Sequence, residues 1–206
     1  MKKFKIKCLP IAFAVVLIAM LLSLPAQAAT VSYYLDQNNA GLSTDNYVQV
    51  TISDGARGNI DFQVDILAAV FPDPGSNFGM DKFYFNFDSV AVSENNIVDI
   101  NMQSWNVNEN KNAGGGFGKY DFELKGTGHS RTTMLSFSIT GVGGDDPWTY
   151  ASDPEFFAAH VGGFLDDSGV ESAKFAGSTL VPIPGSVMLL GSGLLGLIAV
   201  RRRIKK

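Results

Sequence analysis

Between residues 29 and 180, apolar side chains recur at every second position. Ile60, Phe62, Val64 and Ile66 alternate with Asp61, Gln63 and Asp65, and Phe83, Phe85 and Phe87 alternate with Tyr84 and Asn86. Leu135, Phe137 and Ile139 do the same against Ser136 and Ser138. A period of two belongs to a strand with one buried face. The pattern predicts further strands over Val31–Leu35, Tyr47–Ile52, Val90–Val92 or Ile97–Met102, Tyr120–Leu124 and Phe156–Phe164. Turn formers separate them: Ser53-Asp54-Gly55, Pro72-Asp73-Pro74-Gly75, Gly114-Gly115-Gly116, Gly126-Thr127-Gly128 and Gly143-Gly144-Asp145-Asp146-Pro147. About eight short strands with no long stretch at helical period predict an all-β fold, an antiparallel β-sandwich of jelly-roll type. Its expected core is Phe62, Val64, Ile66, Phe83, Phe85, Phe87, Phe122, Leu124, Leu135, Phe137 and Ile139. The lack of an internal repeat argues against a propeller or β-helix.

The two ends follow other rules. Lys2, Lys3, Lys5 and Lys7 precede an apolar run from Leu9 to Leu24, and Pro25-Ala26-Gln27-Ala28 follows it. A positive start, an apolar run too short to span a bilayer comfortably and small residues at Ala26 and Ala28 predict a secretory signal over residues 1–28, cut before Ala29 by signal peptidase. An uncleaved anchor is the competing reading, and the helix-breaking Pro25 speaks against it. Cys8, the only cysteine, lies inside that signal, so the mature chain would have no disulfide, thiol nucleophile or thiolate metal site. At the other end an uncharged run from Val181 to Val200 is followed by Arg201, Arg202, Arg203, Ile204, Lys205 and Lys206. Its length, about twenty residues, suffices to cross a membrane as a helix. The basic cluster should stay cytoplasmic, leaving everything upstream outside. These features alone also fit a plain membrane anchor.

The order of the tail is more specific: Val181-Pro182-Ile183-Pro184-Gly185, an apolar helix punctuated by Gly191, Gly193 and Gly196, then the arginine cluster. It resembles the PEP-CTERM sorting signal of exopolysaccharide-producing Gram-negative bacteria, in the variant with Val-Pro-(Leu/Ile)-Pro in place of the namesake motif. Ile183 stands where that motif has Glu. The resemblance covers residues 181–206 and implies recognition by an exosortase, a membrane transpeptidase that cuts near the proline motif. It further implies an inner-membrane precursor, then a non-catalytic protein of the cell surface or biofilm matrix, with exopolysaccharide as a partner. The expected organisation is a signal at 1–28, an extracytoplasmic sandwich at 29–180 and a sorting tail at 181–206.

Charge narrows the function of the middle. All 20 acidic residues lie between Asp36 and Glu171, beside seven bases (Arg57, Lys82, Lys111, Lys119, Lys125, Arg131 and Lys174), giving a net charge of −13. Such a surface is wrong for nucleic acid, which needs clustered Lys and Arg against phosphate. His129 and His160, the only histidines, sit in unlike contexts and make a poor metal site, and Ser130 beside His129 is no triad. Asp145 and Asp146, in a Gly-rich loop, offer hard oxygen ligands for a structural Ca²⁺, although the same residues serve as solvated turn formers. Asp166-Asp167, and Asp73 with Asp81, raise the same alternatives. Trp105 and Trp148 are candidates for stacking against a sugar, or for filling the sandwich core. No other cofactor is expected and the chain reads as a non-enzyme. The alternatives are a secreted polysaccharide-acting enzyme using two carboxylates and a permanently anchored ectodomain.

Overall fold

A computed structural model of the protein describes residues 30–43, 45–87, 92–142, 156–177 and 179–181. Three groups of expected features lie outside the described residues: the signal with Ala26, Ala28 and Ala29, the tail with Pro182, Ile183, Pro184, Gly185, Arg201, Arg202 and Arg203, and the loop with Asp145, Asp146 and Trp148. The described chain is all-β, built as two six-stranded sheets packed face to face. The first contains β1 (Thr30–Leu35), β3 (Val48–Asp54), β4 (Ile60–Ile66), β6 (Ile97–Val98), β9 (Met134–Ile139) and β12 (Thr179–Val181), in the order β12-β1-β3-β4-β9-β6. The second contains β2 (Gln37–Asn38), β5 (Gly79–Phe85), β7 (Asn106–Asn112), β8 (Lys119–Lys125), β10 (Phe157–Gly162) and β11 (Ser172–Gly177), in the order β2-β11-β10-β5-β8-β7. Neighbouring strands are antiparallel throughout.

Alternation makes the core. In β4, Ile60, Phe62, Val64 and Ile66 are buried while the residues between them are not. Phe62 stacks on Phe137 of its own sheet at 4.7 Å and meets Phe85 of the opposite sheet at 5.5 Å. Tyr33 meets Phe157 at 5.3 Å and Tyr47 meets Phe175 at 4.6 Å, so aromatic pairs join the sheets along their length. Every expected core residue is buried except Phe87, which is half-buried. The β5–β8 ladder ends at Phe85 and Phe122, where Asn86 Oδ1 accepts the Asp121 N–H (3.0 Å) and Asp121 accepts the Phe87 N–H (3.0 Å). Phe87 therefore lies beyond the paired strand and packs, half-buried, against the end of the core.

Other boundaries move for similar reasons. Ser53 and Asp54 continue β3 instead of turning, because they pair with Asp61 and Ile60. Of Ile97–Met102 only Ile97 and Val98 pair, against β9. Neither β7 nor β11 follows from the alternation pattern. β7 reads NVNENKN and has no buried residue; its support is the backbone ladder to β8. The tip of that hairpin, with Gly114, Gly115 and Gly116 at φ of 70°, 67° and 93°, folds back over the outer face of the second sheet. There Ala113, Phe117 and Tyr120 close a small second cluster on Tyr84, Ala158 and Ala176.

Candidate functional site

The outer face of the second sheet carries the unusual chemistry. Pairing with β5 shifts register between His160 and Val161 of β10: His160 faces Lys82, whereas Val161 faces Met80. Asp81 is the extra residue of this β-bulge, and its carboxylate turns outward to His160 instead of entering the core as strict alternation would have it. Asp81 Oδ1 and His160 Nδ1 are 2.6 Å apart, and Arg131 Nε lies 3.6 Å from Asp81 Oδ2, an ion pair without a hydrogen bond. A backbone bridge between Met80 and Thr132 holds Arg131 in place, and its Nη1 donates to the Asn77 carbonyl at 3.2 Å. Burial by itself would raise the Asp81 carboxyl, but the His160 hydrogen bond and the charges of His160, Arg131 and Lys82 outweigh it and hold the group below the ordinary aspartate value.

Register then aligns cations. Lys174 pairs with His160, His160 with Lys82 and Lys82 with Lys125, so four basic side chains on β11, β10, β5 and β8 form one row across the sheet. Asn106 on β7 extends it. The next row runs Ala176, Ala158, Tyr84, Glu123 and Asn108. Glu123 is buried and accepts a hydrogen bond from Asn108 Nδ2 (3.1 Å) and another from the Tyr84 hydroxyl. Burial, followed by Glu123 and Asp81, pushes the Tyr84 hydroxyl well above the usual tyrosine value. A groove of about 460 Å³ lies over this part of the face, lined by Lys82, Lys111, Lys125, Ser104, Asn106 and Asn112 among others, with Tyr84 and Glu123 also lining it. Among the described residues none of the three lysines is in an ion pair. Such a groove offers ammonium groups to an anion and carboxamides that both donate and accept. No hydroxyl among the described residues is bonded to His160, which leaves its pairing with Asp81 without a nucleophile.

The residues singled out from sequence are scattered relative to this groove. Trp105 is 5% exposed, packed in the core, and donates its Nε1–H to the Ser130 carbonyl at 3.0 Å. An indole with both faces covered cannot stack on a sugar, so its role is to fix the loop leading to Arg131. Gly126 in that loop is obligatory, because a Cβ there would lie 2.3 Å from the indole nitrogen. His129 is exposed in the same loop. The Asp166 carboxylate accepts from Val170 N (2.7 Å), Ser168 N and Ser168 Oγ, bonds that lower its pKa and organise the turn. Among the described residues no three His, Cys, Asp or Glu side chains converge as a metal site. Sequence reasoning missed Asp81 as a bulge residue and the row built on Lys82, Lys125, His160 and Lys174; five of the seven central bases are lysines on strands of the second sheet, a grouping that only the strand order reveals. Compared with protein families, curated proteins and solved structures, the chain matches none.

Proposed function

We propose that this chain is an exported, non-catalytic cell-surface or matrix protein of a Gram-negative biofilm, whose jelly-roll-like sandwich associates with exopolysaccharide. One observation carries the reading: a signal-like segment ending at Ala28 and a PEP-CTERM-like tail from Val181 bracket a cysteine-free domain. In this reading signal peptidase cuts before Ala29, the tail holds the precursor at the inner membrane, and an exosortase cuts near Pro182, Ile183, Pro184 and Gly185. Arg201, Arg202 and Arg203 oppose passage of the C-terminus, so release requires proteolysis. The polar groove on the second sheet supports a binding role over a catalytic one.

Terminal-peptide and intact-mass spectrometry on fractionated native cells, with and without the exosortase, tests the reading. The expected species begins at Ala29, lacks everything beyond the proline motif and appears only when the exosortase is present. A full-length C-terminus kept in the inner membrane in both strains would make the protein a permanently anchored ectodomain instead.

A further inference from the structure

We infer that the groove on the outer face of the second sheet is a binding site for an acidic polysaccharide, with carboxylates on the chain meeting Lys82, Lys111 and Lys125. The inference rests on the proposed extracellular role and names the ligand class.

Three observations carry it. First, the row opposes like charges: Lys82 and Lys125 are direct cross-strand partners, an arrangement that disfavours the free protein and is relieved by an anion lying between them. Second, the cations are segregated. Between residues 29 and 180 the chain carries −13, yet the strands of the first sheet hold three carboxylates and no lysine or arginine, while those of the second hold five lysines beside four carboxylates, Asp81, Glu109, Asp121 and Glu123. General solubility does not require that separation. Third, the groove beside the row is lined by Ser104, Asn106, Asn108 and Asn112, groups suited to hydroxyls. Hydroxyls with regularly repeated carboxylates describe a polyuronate. Lys82 on β5, Lys125 on β8 and Lys111 on β7 lie on three adjacent strands, about 10 Å across the sheet, the reach of two or more sugar residues.

Other occupants fit less well. The exposed large apolar side chains among the described residues are Met134 and Leu165, neither of them aromatic nor in the groove, so bases would have no stacking platform here. A neutral glycan would likewise find no exposed ring among the described residues and would offer the lysines no counter-charge.

The test is affinity electrophoresis of the full-length protein in nonionic detergent through gels containing polygalacturonate, dextran or double-stranded DNA. Polygalacturonate should retard the protein, increasingly so as salt is lowered, and dextran should not. The double variant Lys82→Gln/Lys125→Gln should weaken retardation about tenfold or more. Its melting temperature should stay close to that of the wild type, since the lost attraction of Lys82 for Asp81 offsets the relieved repulsion between the lysines. Equal retardation by dextran, indifference to the double substitution, or DNA binding of the same strength lost in the same variant would overturn the proposal. Failure here combined with correct processing by the exosortase would leave the sorting reading standing; binding without processing would do the reverse.

Discussion

The two outer faces of the sandwich enclose one core and differ in everything else. On the first sheet the rows read Ser32, Thr51, Gln63, Ser136 and Ser53, Asp61, Ser138: hydroxyls, an amide and a carboxylate. Several of these side chains are paired on the same face, with Ser32 to Thr51 at 3.0 Å, Ser138 donating to Asp61 at 2.6 Å and Gln63 donating to Asp65 at 2.8 Å. A hollow of about 370 Å³ on that face is lined by Thr51, Asp61, Gln63, Asp99 and Ser138 among others. On the second sheet the corresponding row is basic: His160 is bonded to Asp81, whereas Lys82 and Lys125 face one another across the strands with no ion pair to either among the described residues. The interior constrains only alternate positions, so each outer row is free to carry chemistry; one face here is internally paired and the other is left wanting a counter-charge.

The comparison can be broken at its shared element first. Phe62→Ala removes the ring that joins Phe137 to Phe85 and should cost about 3 to 5 kcal/mol in denaturant unfolding, damaging both faces together. A smaller effect is expected at the bulge. Asp81→Asn leaves His160 and Arg131 without their carboxylate and should cost about 2 kcal/mol at pH 7. Since the folded Asp81 pKa lies below its unfolded value, its contribution is present above the unfolded aspartate pKa of about 3.9 and lost as pH falls through the folded value. The stability gap between wild type and variant should therefore close in acid; a gap unchanged down to pH 2 would exclude this origin.

Tyr84→Phe loses one hydrogen bond to Glu123 and should cost about 1 kcal/mol. The raised folded pKa of Tyr84 means its advantage holds below the unfolded tyrosine value of about 10 and fades only as pH rises through the folded value, which alkaline unfolding of wild type and variant would reveal. The smallest effect sharpens the contrast. Thr51→Lys with Gln63→Lys copies an opposed cationic pair onto the first sheet at one half-buried and one exposed position, and the added repulsion should cost about 0.5 kcal/mol in thermal melts.

How much of this was legible depended on which contacts each residue makes. β1, β3, β4 and β9 are strands with one wet and one dry face, and their alternation locates them in the chain. β7 puts only the half-buried Val107 against the core and is rich in asparagine, a residue depleted in strands, so nothing local announced it. β11 alternates over too few residues to be distinguished from a loop. The site was least legible, because Lys82, Lys125, His160 and Lys174 are distant in sequence and meet only through register. Asp81 required more still, since a single bulged residue reverses the side to which it points. Trp105 is a case in which the sequence left two roles open, a platform for a sugar or a filler of the core, and burial decides for the second.

The pairing of β12 with β1 determines how the domain bears load. Ser32 lies opposite Val181, so the chain enters the described sandwich and leaves it at the same end of the same sheet edge. Tension between the segments before Thr30 and after Val181 would open this ladder as a zipper, one bond at a time, and not shear all its bonds together. With three residues in β12 and the whole of β3 supporting the other side of β1, the last strand is the mechanical fuse: it would peel away under a pull that leaves the aromatic core intact.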